Sequence, residues 1–95
     1  PTIYAISGTT IAFNLQGVGS SHPFQIQDSG GSSYDTGLVH VTTTGTVTTG
    51  SSANARTGGV LYWQIPQGIS GNYKYQCTSH GGMNGTINIK QISTI

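Results

Sequence analysis

The chain has 95 residues, which suits one small domain with a single core and is too short for two. Five side chains carry formal charge (Asp28, Asp35, Arg56, Lys74 and Lys90), and the net charge of +1 supplies neither a basic footprint for nucleic acid nor a polybasic membrane patch. Gly, Ser and Thr make up 40 residues (15, 11 and 14) and the apolar residues fall in short separated clusters, the composition of an all-β domain with many turns.

No apolar stretch approaches the ~20 residues needed to cross a bilayer. No charged segment followed by an apolar run opens the chain at Pro1, so a processed product or an excised part of something longer is expected, as one domain over residues 1–95. The expected setting is periplasmic, extracellular or on a virion surface. Cys77 is the one cysteine, so no internal disulfide forms and the fold rests on burial, with a metal as a further source of stability.

A first strand is expected near Thr2 to Ile6. Ile11, Phe13 and Leu15 alternate with Thr10, Ala12 and Asn14, which predicts a second strand, and Gly17 to Ser21 then supply a loop. In the next strand His22, Phe24, Ile26 and Asp28 share one face, while Pro23, Gln25 and Gln27 take the other. From Ser29 to Gly59 the chain is rich in Gly, Ser and Thr, and one strand around Leu38 to Val47, a weak edge with long loops, is all the pattern supports.

Leu61, Trp63 and Ile65 alternate with Val60, Tyr62 and Gln64 in a strong strand that Pro66 and Gly68 end, with Trp63 at the centre of the core. Gly71 opens another, with Tyr73, Tyr75 and Cys77 on the inner face and Lys74 and Gln76 outside. Ile87 and Ile89 mark the inner face of a last strand, placed after a turn at Asn84-Gly85; the Asn84-Gly85-Thr86 glycosylation pattern is read as that turn. The sum is an antiparallel β-sandwich of about six to eight strands.

Cys77, His80 and Met83, all within seven positions, form the one chemically pointed cluster. A thiolate, an imidazole and a weak thioether, joined by a second imidazole, make the soft donor set that suits copper in electron transfer. His22, at the start of an inward-facing strand, is the better candidate for that imidazole, and His40, in a Thr-rich segment, the competitor. Each residue also has a plainer reading: Cys77 as a small core hydrophobe, Met83 as a core cap, His80 as an exposed loop residue. A Cys-His hydrolase has no task for the methionine, and structural zinc does not use thioether.

The run Gly71-Asn72-Tyr73-Lys74-Tyr75-Gln76-Cys77-Thr78-Ser79-His80-Gly81-Gly82-Met83-Asn84-Gly85-Thr86-Ile87 resembles the C-terminal signature of the cupredoxins, the blue copper proteins, with the short Cys-x-x-His-x-x-Met loop of amicyanin. The resemblance implies a Greek-key sandwich and one copper ion cycling between Cu(II) and Cu(I). It implies His22, Cys77 and His80 as equatorial ligands and Met83 as the axial one. It makes Tyr73 the tyrosine whose hydroxyl ties a sandwich corner to the backbone. The implied function is one-electron transfer, not catalysis, to a redox partner docking at His80 beside Gly81, Gly82 and Pro23; the near absence of charge predicts weak salt dependence of that docking.

Two positions depart from the family pattern. Ser79 stands where many cupredoxins have Pro, and Pro23 follows His22 without the N–H that bonds the thiolate in relatives, implying a lowered reduction potential. The stretches SHPFQIQDSGG and YQCTSHGGMNGTINI also resemble cupredoxin-like domains of marine cyanophage structural proteins. The alternative function is accordingly a structural or adhesive module among other domains of a larger phage or surface assembly, with copper stabilising or vestigial.

Overall fold

The computed structural model describes residues 2–17, 22–77 and 84–91. Eight strands run β1 (Thr2–Ile6), β2 (Thr10–Asn14), β3 (Phe24–Gln27), β4 (Leu38–Val41), β5 (Val47–Thr49), β6 (Val60–Gln64), β7 (Gly71–Cys77) and β8 (Asn84–Lys90), with a 3-10 turn at Gly50–Ala53. They form two four-stranded sheets, ordered β1-β8-β7-β3 and β2-β6-β4-β5. The connections β2 to β3 and β6 to β7 both cross between sheets, while β2 pairs with β6 and β3 with β7, which gives the sandwich its Greek-key wiring.

The alternating strands fold as their pattern dictates. Ile11 and Phe13 of β2 turn inward, Leu15 beyond it is 2% exposed, and Leu61, Trp63 and Ile65 around β6 are buried, each alternation placing every second side chain in the space between sheets. Ile26, Leu38, Ile87 and Ile89 complete the core from the other strands. Burying each such aliphatic side chain contributes roughly 1.5–3 kcal/mol. Trp63 is fully buried, and its Nε1–H donates to the Thr36 carbonyl at 3.0 Å, so the indole enters the core without an unsatisfied donor.

Three elements differ from the sequence expectations. The Gly/Ser/Thr-rich middle makes two strands, and β4 is not an edge: it lies between β6 and β5, with Leu38 opposite Trp63 and His40 opposite Leu61. Asn84-Gly85 is not a turn; Asn84 pairs with Gln76 and Gly85 with Tyr75 inside the β7–β8 ladder, where the missing side chain of Gly85 faces a large aromatic neighbour. The sandwich is also not wholly antiparallel, because β1 runs parallel to β8 in register Thr2↔Thr86 to Ile6↔Lys90. The crossing from β1 into the opposite sheet supplies the long connection that a parallel pair requires.

The outer edge of β3 is closed by irregular chain. Its outward N–H groups at Phe24, Ile26 and Asp28 donate to the Arg56 carbonyl (2.9 Å), Asn54 Oδ1 (2.8 Å) and the Ser32 carbonyl (2.8 Å). The Ile26 carbonyl accepts from the Tyr34 N–H at 2.9 Å. Segments 32–35 and 54–56 therefore act as a makeshift neighbouring strand.

Candidate functional site

Antiparallel pairing of β3 with β7 sets Phe24 opposite Cys77, which brings the residue two before Phe24 to the same pole of the sandwich. There His22 Nδ1 lies 3.3 Å from Cys77 Sγ, a hydrogen bond between residues 55 positions apart. Cys77 is 7% exposed, and His22 and Pro23 are half-buried. Three half-buried rings pack together on these strands: Phe13 to Phe24 at 5.0 Å between ring centroids, and Phe24 stacked on Tyr75 at 5.6 Å. Their packing ties β7 to the start of β3, the two strands whose pairing brings the imidazole to the thiol.

His80, Gly81, Gly82 and Met83 lie outside the described residues. His40, the competing imidazole, is in the other sheet; it is 1% exposed, and its Nε2 bonds the Gly58 carbonyl at 2.7 Å. Among the described residues no group of three or more His, Cys, Asp or Glu stands together in a way that could hold a metal ion. Among the described residues the His22 imidazole and the Cys77 thiol converge at this pole, and they bond to each other.

Tyr73 belongs to a second aromatic group, half-buried against the core at Trp63, in edge-on contact with Tyr34 (4.9 Å) and Trp63 (5.4 Å), while Tyr34 also meets Trp63 at 5.8 Å. Burial first, then its hydrogen-bonded neighbour Tyr34 and the charge of Asp28, push the Tyr73 hydroxyl above the ordinary value of 10.0. The folded protein then holds this proton at a pH where the unfolded chain releases it. Stability from this group is level below the unfolded value and falls as pH rises above it. Tyr73→Phe is expected to flatten the decline of the urea midpoint from about pH 9 to about pH 11; an unchanged slope would assign the alkaline loss to other groups.

The residue that sequence reading missed is Asn54. At 8% exposed, it accepts through Oδ1 from the N–H groups of Ile26 (2.8 Å) and Ala55 (3.1 Å). Its Nδ2 reaches the carbonyls of Ile26 (3.0 Å) and Tyr34 (3.2 Å), Ser33 Oγ (3.1 Å) and Asp35 Oδ1 (2.8 Å). Donors all face Oδ1 and acceptors all face Nδ2, which fixes the amide orientation. Nothing in the run SSANAR marks this role, because every partner but Ala55 lies at least 19 positions away.

No family model matches the chain, and no curated protein matches it. Among solved structures it is similar to the solution NMR structure of a titin I27 domain mutant, with 11% identity over 100% of this chain and 86% of that one, at a TM-score of 0.46. No cupredoxin and no cyanophage structural protein emerges from these comparisons. The resemblance to cupredoxins is corrected accordingly. With it fall the copper cofactor and the blue copper electron-transfer function, since the described donors do not assemble a set that holds a metal. The β-sandwich itself stands.

Proposed function

We propose that the chain is a non-enzymatic structural module, one sandwich set in line with other domains of a larger assembly. The parallel pairing of β1 with β8 carries this reading. Thr2 pairs with Thr86 and Ile6 with Lys90, so the backbone enters the sheet at one end and leaves it at the other. Tension applied through those two points runs along both strands and loads all five residue pairs together. A further bond continues the seam, from the Ser7 N–H to the Lys90 carbonyl at 2.9 Å. The surface suits the role: it is built of Gly, Ser and Thr with five charges in all, which leaves contacts between neighbours insensitive to salt.

Single-molecule pulling tests the reading by changing the direction of load. Attachment at positions 2 and 90 shears the β1–β8 seam, whereas attachment at positions 2 and 84 pulls from one end and opens the pairs in sequence. The unfolding force is expected to be severalfold higher in the first geometry. Equal forces in the two geometries would remove the mechanical basis of the proposal.

A further inference from the structure

His40 is the most buried polar side chain on β4, and its ring is bonded on one side. Nε2 lies 2.7 Å from the Gly58 carbonyl, and a carbonyl only accepts, so Nε2 carries the proton in the neutral ring and Nδ1 is left as an acceptor. Nδ1 is buried without a hydrogen-bond partner among the described residues, and so is the hydroxyl oxygen of Thr48. The two residues are direct partners in the β4–β5 ladder, so their side chains share the inner face with Cβ atoms about 4.5–5.5 Å apart. Two unsatisfied polar atoms on facing residues mark a polar site, and a group that both donates and accepts completes both.

We propose that this is a binding site for one internal water molecule, which donates to Nδ1 of His40 and accepts from the Thr48 hydroxyl. The water holds the imidazole in the tautomer that grips the Gly58 carbonyl. That grip matters beyond the ring. Gly58 N–H donates to the Leu15 carbonyl at 3.1 Å, and the Leu15 N–H donates to the Gly59 carbonyl at 2.9 Å. Two residues earlier the Arg56 carbonyl receives the Phe24 N–H at 2.9 Å, at the head of β3. One bound solvent molecule in the second sheet thereby helps seat the segment that closes the first. This inference is independent of the mechanical reading above.

The test is NMR on the 15N-labelled protein. In the wild type, His40 is expected to show the Nε2–H tautomer, with cross-relaxation between water and the Thr48 methyl or His40 Hβ protons of the sign given by a water held for longer than nanoseconds. Thr48→Val keeps the shape and removes the hydroxyl; it is expected to abolish that signal, move the Nδ1 shift and lower the folding equilibrium constant roughly tenfold. Thr48→Ser should retain the signal. Absence of a long-lived water at His40 in the wild type would overturn the proposal, even if Thr48→Val failed to fold. So would a Thr48→Val protein as stable as wild type with an unmoved Nδ1 shift.

Discussion

Asn54→Ala is expected to destabilise the fold by roughly 2–4 kcal/mol, read as a fall in the urea midpoint at constant m-value. The effect is large because the groups left behind are deep in the structure. Ile26 is fully buried and its N–H has Asn54 Oδ1 as its partner, so truncation strands a donor where solvent does not reach it. The Ile26 carbonyl fares better, since the Tyr34 N–H also reaches it at 2.9 Å. On the other side Asp35 Oδ1 and Ser33 Oγ lose a donor each. For a domain with a total stability of about 5–15 kcal/mol, a loss of that size is a substantial fraction of the whole.

Asn54→Asp sharpens the test. Aspartate can still accept from Ile26 but has nothing to donate, and it places a carboxylate where Nδ2 now sits 2.8 Å from Asp35 Oδ1. Two carboxylates at that separation cannot both ionise cheaply, so one holds its proton in the folded state at a pH where the unfolded chain has lost it. Stability of this variant is therefore expected to fall as pH rises through the carboxylate range, recovering in mild acid, whereas Asn54→Ala should show no such recovery. A pH-independent deficit in Asn54→Asp would mean that the amide nitrogen does not face Asp35.

Gly37→Ala is the second substitution with a large expected effect, about 2–4 kcal/mol. Gly37 has φ of +85°, and a β-carbon there would sit 2.1 Å from the Gln64 carbonyl oxygen and 3.5 Å from Trp63 Cδ1. The obstacle is backbone, which cannot rotate aside as a side chain would. Its displacement would break the bond from the Gln64 N–H to the Gly37 carbonyl (2.8 Å) and pry β4 from β6 beside the central tryptophan. Gly45→Ala provides the control: φ is similar at +91°, yet nothing lies within 4 Å of the added carbon. It should cost only the conformational penalty of about 1 kcal/mol. Equal losses at the two sites, in matched urea titrations, would show that strain and not the close approach decides the outcome.

Alternation is a local signal, and the parts of the fold that depend on it were legible. Ile11, Phe13 and Leu15, then Leu61, Trp63 and Ile65, identify two inward faces whose side chains do pack together, with Ile11 opposite Trp63 and Phe13 opposite Leu61. The β4–β5 hairpin escaped because threonine is equally at home on strands and in turns, so VTTTGTVTT shows no contrast between faces. At Asn84-Gly85 a turn-forming dipeptide lies within a ladder, where cross-strand partners override its local preference.

The candidate site was legible in part. The convergence of His22 and Cys77 follows from strand order and the β3–β7 register, and the 3.3 Å bond reflects it. The leap from that order to copper rested on a motif, and donor residues at a familiar spacing do not by themselves constitute a metal centre. Asn54 had no signature at all, because its work is done across the fold with groups on other segments. A side chain that stands in for a missing strand is visible only when the strand it replaces can be seen.

The closed flank of β3 bears on how a β-sandwich behaves when crowded. A bare edge recruits extended peptide from another molecule, and tandem or densely arrayed sandwiches are the setting where fibrillar misassembly is most dangerous. On this flank successive outward amides at Phe24, Ile26 and Asp28 are already engaged by the protein's own loops. The Asn54 amide and the carbonyls of Arg56 and Ser32 thus occupy the bonding positions that an incoming strand would need, in each copy by itself and at any local concentration.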